Sequence, residues 1–236
     1  MSTQQKVVIV TGASQGIGAE LINAFRDRNY RVIANSRSIK PSSDANALNI
    51  AGDIADPATS DRIVSDGLAR FGRIDTLINN AGIFISKPFV DYTEEDYAAI
   101  VATNLGGFFR LTKRVAAEMS KQGSGHIVQI TTSLVDHPNS SVPAGLAAMT
   151  KGGLNAATRP LAIEYASRSI RVNAVSPGVI KTPMHAAETH EFLSKLHPVG
   201  RMGEARDIVD AVLYLENAPF VTGEILHVDG GQSAGH

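Results

Sequence analysis

Lys6-Val7-Val8-Ile9-Val10-Thr11-Gly12-Ala13-Ser14-Gln15-Gly16-Ile17-Gly18-Ala19-Glu20-Leu21 holds the architecture of this 236-residue chain in miniature. A short run of β-branched residues reads as a buried strand, and it enters a glycine-rich turn and then a helical pattern without a spacer. Gly12 allows the tight turn, Gly16 lets backbone approach a pyrophosphate, and Gly18 permits close packing of the helix. The N–H groups at the helix start attract phosphate, and Ser14, Gln15 and Ile17 are expected to share that contact surface.

The same alternation continues along the chain. Apolar runs at about 6–11, 31–36, 48–52, 74–79, 125–131, 170–175 and 224–228 read as strands, and residues 16–28, 57–71, 93–121, 143–167 and 205–216 carry a helical period. Thr93 followed by Glu95 and Asp96 is a capped helix start. Strands alternating with helices predict an α/β fold: one doubly wound, Rossmann-type domain over residues 1–236, with a mostly parallel sheet of about seven strands and helices on both faces. Between Ser38 and Asn49, Pro41-Ser42-Ser43 and a shortage of residues leave room only for a loop or a short turn. Residues 178–204, with Pro183, Pro198 and Gly200 among mixed polar residues, read as a lid segment.

Composition narrows the function classes. Hydrophobic residues make up 43%, charged residues 19%, and the net charge is -1, which gives no electrostatic preference for nucleic acid or an anionic membrane. There is no cysteine, so disulfides, thiolate catalysis and cysteine-held metals are excluded. His185, His190 and His197 stand five and seven residues apart, without the one-face spacing of a metal site, and no metal is expected. The run Val7–Val10 is too short for a signal peptide or a membrane span. These features predict a cytoplasmic protein whose partners are small molecules and other copies of itself.

The spacing Thr11-Gly12-x-x-x-Gly16-x-Gly18 resembles that of the short-chain dehydrogenase/reductases, and further matches fall in order along the chain. They are Asn79-Asn80-Ala81-Gly82 after the fourth strand, Asn104 midway along the next helix, Pro177-Gly178 with Ile180 and Thr182 after the sixth strand, and Val228-Asp229-Gly230-Gly231 near the end. The resemblance implies that Asn79, Ala81 and Gly82 shape the adenine side, with Asp53 and Ile54 contacting adenine. It further implies that Asn104 supports a catalytic water and that Pro177, Gly178, Ile180 and Thr182 hold the nicotinamide carboxamide. Cofactor choice rests on Ala34-Asn35-Ser36-Arg37. Ser36 stands where an acidic residue would accept from a ribose 2′-hydroxyl, and Arg37 offers a fork to a 2′-phosphate, so NADP(H) is expected over NAD(H).

The resemblance also implies a tyrosine four residues before a lysine, on one helical face, with the lysine holding the nicotinamide ribose and lowering the phenol pKa. Lys151 matches the lysine, but four residues earlier stands Ala147, and Thr132 to Thr150 contains no tyrosine. Thr132 or Ser133 supplies the carbonyl-orienting hydroxyl. His137, with Asp136, is the first candidate replacement for the acid, and His185 in the lid is the second. A water held by Lys151 and the hydroxyl is another. The expected activity is NADP-dependent hydride transfer between nicotinamide and a carbonyl, imine or alcohol, with altered proton transfer. An iminium ion accepts hydride without needing a proton, so ordinary ketones are expected to be the poorer substrates. The alternative is a catalytically inactive NADP(H)-binding sensor, scaffold or subunit. Apolar residues on the helices at 93–121 and 143–167, among them Phe108, Phe109, Leu154, Leu161 and Ile163, exceed what one sheet face needs and point to a homodimer or homotetramer.

Cofactor preference gives the first test. NADPH is expected to bind more tightly than NADH by about 1.5–3 kcal/mol in a fluorescence titration, from a charge-assisted contact to Arg37. Ser36→Asp should reverse the order, and equal affinities in the unmodified protein would refute the role of Arg37.

Overall fold

A computed structural model describes residues 4–235. Seven strands, β1 (Val7–Thr11), β2 (Arg31–Ser36), β3 (Ala47–Ala51), β4 (Thr76–Asn79), β5 (Gly125–Ile130), β6 (Ile170–Pro177) and β7 (Ile225–Val228), form one parallel sheet. Their order is β3-β2-β1-β4-β5-β6-β7. The helices are α1 (Gly16–Asp27), α2 (Pro57–Phe71), α3 (Glu94–Ile100), α4 (Phe108–Gln122), α5 (Gly145–Tyr165), α6 (His190–Ser194) and α7 (Ala205–Asn217).

Alternation along β1 shows why both faces must be covered. Val8 and Val10 join a cluster with Leu21 and Phe25 of α1 and Ile208, Val212 and Leu215 of α7. Val7 and Ile9 point the other way, into a cluster with Ile63 and Phe71 of α2 and Leu111, Val115 and Met119 of α4. All four β1 valine and isoleucine side chains are fully buried, and burying a side chain of this size contributes about 1.5–3 kcal/mol. The chain winds from β1 toward β3, then returns to β4 and continues the other way, so the loops leaving β1 and β4 diverge and open a crevice at the carboxyl edge.

No helix intervenes between Ser36 and Ala47, as the short connection predicts. The long helix expected over 93–121 is instead interrupted. Thr93 and Asp96 form a capping box for α3, residues Val101–Gly107 widen into a π-helical segment, and α4 begins at Phe108. Tertiary contacts override the simple period here. Asn104 reaches across to the backbone of Ile83, and a Cβ on Gly107 would lie 2.9 Å from Cγ1 of Ile54. Residues 178–204 also carry more structure than their sequence suggests. An isolated bridge joins Ile180 to Gly203 at the base, and a 3₁₀ turn at Ala187–Thr189 leads into α6. Among the described residues no helix is long and apolar enough to cross a membrane.

The amino edge of the sheet, away from the crevice, is tied by a buried polar network around Glu216 of α7. Its carboxylate accepts hydrogen bonds from Tyr30 Oη at 2.8 Å, Thr76 Oγ1 at 3.1 Å and His126 Nδ1 at 2.7 Å. With His126 Nε2 accepting from Asn173 Nδ2 at 3.1 Å, the imidazole sits as its neutral Nδ1–H tautomer, and burial holds its pKa below the usual value. Burial pushes the Glu216 carboxyl up, but the hydrogen bonds from His126 and Tyr30 and the Lys6 charge outweigh it and hold its pKa below the usual carboxylate range. A depressed carboxylate contributes stability above its unfolded pKa, near 4.5, that is lost as pH falls below that value. Glu216→Ala is expected to cost about 3–5 kcal/mol in denaturant unfolding at neutral pH, because three donors lose their acceptor. Glu216→Gln should remove part of the acid sensitivity in that window, and an unchanged pH profile would refute the assignment.

Candidate functional site

The crevice is organised by Thr11 and Asn80, one from each diverging loop. Asn80 Nδ2 donates to the carbonyl oxygens of Thr11 at 2.9 Å and Gly12 at 3.3 Å, while the backbone N–H groups of Asn80 and Ala81 donate to Thr11 Oγ1 at 3.1 and 3.0 Å. Gly12 and Gly16 adopt φ of +66° and +55°, where a side chain is strained, and a Cβ on Gly18 would lie 2.2 Å from the Gly12 oxygen. Gly18 therefore serves packing, letting α1 start directly behind the turn. No side chain caps α1 at Gln15 and no acid occupies its first turn, so the positive end of the helix opens onto the crevice.

Two connected hollows follow. One, of about 300 Å³, is bordered by Gly12, Ser14, Gln15, Gly16 and Ile17 of the β1 turn, by Ser36 and Arg37 after β2, and by Asp53 and Ile54 after β3. Ala81, Gly82 and Thr182 close it. The Ser36 hydroxyl is buried there without a hydrogen-bond partner among the described residues, and Arg37 is exposed beside it. An unpartnered hydroxyl, a guanidinium and an uncapped helix start together fit a phosphorylated dinucleotide. Asp53 Oδ1 accepts from the N–H of Ala55 at 2.9 Å, holding the β3 loop.

The other hollow, of about 600 Å³, lies between the ends of β4, β5 and β6, α5 and the 178–204 segment. Ala147 and Lys151 face it from α5, Thr132, Ser133 and Leu134 from the β5 loop, and Pro177, Gly178, Ile180 and Thr182 from the β6 loop. Phe84, Met184, Phe192 and Leu193 make much of it apolar. Lys151 Nζ donates to the carbonyl of Ile130 at 2.7 Å, and desolvation pushes its pKa down to about 8. Ser133 is buried and donates to Gln232 Oε1 at 2.8 Å, whereas Thr132 is only partly buried, and its hydroxyl accepts from the N–H of Leu134 at 3.3 Å.

The side chains of Asn79, Asn104 and His137 border neither hollow. Asn79 does not reach either hollow: it is buried and donates to Thr112 Oγ1 and Gln129 Oε1, both at 2.9 Å, because the last residue of β4 points into the helix layer while Asn80 turns to the crevice. Asn104 lines neither hollow. Its side chain both accepts from the N–H of Ile83 and donates to its carbonyl, and it donates to Thr150 Oγ1, so it braces the β4 loop against α5. His137 is outside the larger hollow, since the 3₁₀ turn at Ser133–Val135 carries it and Asp136 toward β7, where Asp136 meets His227 at 3.0 Å. His197 anchors the base of the 178–204 segment, accepting from the N–H of Val179 at 2.9 Å. His185, by contrast, faces the larger hollow. Sequence reasoning missed Met184, Phe192, Leu193 and Gln232, which sit in segments without a period or arrive from the far end of the chain.

A family model described as Enoyl-(Acyl carrier protein) reductase matches residues 12–233. With the fold and crevice above, this places the chain in the short-chain dehydrogenase/reductase family, whose members are oxidoreductases. Within it, the chain is 37% identical to the 3-oxoacyl-[acyl-carrier-protein] reductase FabG of Salmonella typhimurium, with 98% of each chain covered. It is 34% identical to an uncharacterized oxidoreductase of Thermotoga maritima, covering 99% of this chain and 100% of that one. The solved structure "ElxO with NADP Bound" superposes with a TM-score of 0.90 at 28% identity, over 98% of this chain and 100% of that one. A 3-ketoacyl-(acyl-carrier-protein) reductase from Brucella melitensis complexed with NADH gives 0.88, also at 28% identity and with the same coverage.

Proposed function

We propose that the chain is an NADP(H)-dependent oxidoreductase acting on a carbonyl, imine or alcohol, with proton transfer rearranged because Ala147 occupies the place of the family's tyrosine. The observation that carries this reading is the pairing of Ala147 and Lys151, one helical turn apart on α5 and both facing the larger hollow. When bound, the cofactor supplies or accepts the hydride. The chain's own residues bind and orient: the β1 turn, Ser36, Arg37, Asp53 and Ile54 hold the phosphorylated adenosine half, while Lys151, Pro177, Gly178, Ile180 and Thr182 fix the nicotinamide half. Thr132 is the hydroxyl that orients the substrate oxygen, Ser133 being engaged with Gln232. The ElxO structure with NADP and the unpartnered Ser36 hydroxyl favour NADP(H), although the Brucella relative carries NADH.

Against the expectation that ordinary ketones are the poorer substrates, the lining favours neutral carbonyl substrates over iminium ions. Among the described residues no carboxylate borders the larger hollow to balance an iminium charge, and Lys151 already places a cation there. Its apolar walls suit a hydrophobic substituent. Residues 178–204 act as the lid over this substrate, hinged at the Ile180–Gly203 bridge. The protein works in the cytoplasm as a homodimer or homotetramer, supported by the exposed Phe109 of α4 and the exposed Met149 and Ile163 of α5.

Two experiments test this. Ala147→Tyr, which returns a phenol beside Lys151, is expected to raise NADPH-dependent reduction of a cyclic ketone at least about tenfold, at the low end of the gain from a positioned acid. Absence of NADPH turnover in both proteins, with NADPH still bound, would favour the inactive sensor or scaffold. Light scattering should give two or four times the 25.0 kDa chain mass, and a monomer at micromolar concentration would refute the interface.

A further inference from the structure

We propose that His185 exchanges the substrate proton in place of the missing phenol. This rests on the oxidoreductase reading above, and it concerns a residue on the lid rather than on the helix that carries Lys151. Proton exchange with a substrate oxygen needs a titratable side chain on the wall of the hollow. Among the described residues two are present, Lys151 from α5 and His185 from the lid, and no aspartate, glutamate or tyrosine joins them.

Their surroundings separate the two. The Lys151 ammonium is tied to the Ile130 carbonyl, and it lies so close to the β4 loop that a Cβ on Gly82 would be 3.0 Å from Nζ. That is the side of the hollow shared with the dinucleotide cleft. His185 lines the same hollow from the lid, on a turn closed by its own N–H donating to the Thr182 carbonyl at 3.0 Å. Its backbone is held a second time, as its carbonyl lies 3.1 Å from His190 Nε2. Among the described residues neither ring nitrogen of His185 is hydrogen bonded, so the imidazole is positioned by its backbone and uncommitted in its chemistry. Ala147 lines the same hollow with only a methyl group.

The proton balance is simple. In reduction, the imidazolium N–H bond breaks and an O–H bond forms on the substrate, the carbonyl π pair moving to oxygen as the carbon takes up hydride. In oxidation the neutral imidazole removes that proton. The titratable group that bears on His185 is His190 on α6, and the other titratable side chain on the wall of the hollow is Lys151. Burial first, and then His190, hold its pKa below the usual 6.5, and no facing carboxylate pulls it back. A group lowered in this way is neutral at pH 7, and its acid form accumulates only as pH falls below about 6.5. Reduction is therefore expected to quicken on acidification and alcohol oxidation to hold at neutral pH.

The test compares the unmodified protein with His185→Gln, Ala147→Tyr and the double variant, on one neutral cyclic ketone with NADPH. His185→Gln is expected to lower kcat/KM at least about tenfold, as befits removal of a proton donor, and to abolish the rise in kcat/KM below pH 6.5. In the Ala147→Tyr background the same change should alter the rate less than about twofold, since a phenol again handles the proton. An unchanged rate and pH limb in His185→Gln would overturn the proposal, as would a limb that persists near pH 8, the range of Lys151. An independent readout uses cofactor-free protein. The His185 imidazole, assigned by its loss in His185→Gln, should titrate below 6.5 by NMR and shift when the ketone is added. A resonance that titrates as a solvated histidine and ignores the ketone also overturns it. Absence of turnover in all four proteins would fall on the oxidoreductase reading instead, and the imidazole titration then judges His185 alone.

Discussion

The hydrogen bonds between Thr11 and Asn80 are the constraint on which the functional half of this molecule depends. A doubly wound sheet opens a crevice because its two halves leave in opposite directions, and the same divergence would leave the β1 and β4 loops unsupported. Asn80 closes that gap from one side by donating to two carbonyl oxygens, and Thr11 closes it from the other by accepting two backbone N–H groups. Once these loops are joined, the turn at Gly12 has only one path, Gly18 must lack a side chain, and α1 points its positive end into the crevice.

The two edges of the sheet handle polar groups in opposite ways. At the amino edge, Glu216, His126, Tyr30, Thr76 and Asn173 satisfy one another, and that closure makes the edge rigid. At the carboxyl edge, Ser36 keeps an unpartnered hydroxyl and Lys151 a depressed pKa. Such groups are costly in an isolated chain and are tolerated where a ligand is to complete them.

Much of this was legible in the sequence, for identifiable reasons. Strands buried on both faces leave continuous runs of valine and isoleucine, and amphipathic helices leave a period, so β1 to β7 and most helices fell where the patterns place them. The glycines of the first turn were readable because each answers a steric demand. What escaped lies where no local rule operates. Adjacent asparagines at 79 and 80 are indistinguishable by type, and only the pleat of β4 sends one into the core and the other to the crevice. The position of His137 depended on a 3₁₀ turn that leaves no pattern. The interruption between α3 and α4 was hidden because a π segment keeps nearly the same apolar composition as the helix it replaces.

That interruption also gears two surfaces together. A π turn holds about one residue more than an α turn, so if Val101–Gly107 tightened to ordinary helix at the same length, everything beyond it would rotate by roughly 100°. Phe109 would then swing off the outer face of α4, and Leu111 and Val115 would leave the sheet they cover. The angular phase of α4 is thus locked to the grip of Asn104 on Ile83, which holds the wide turn in place.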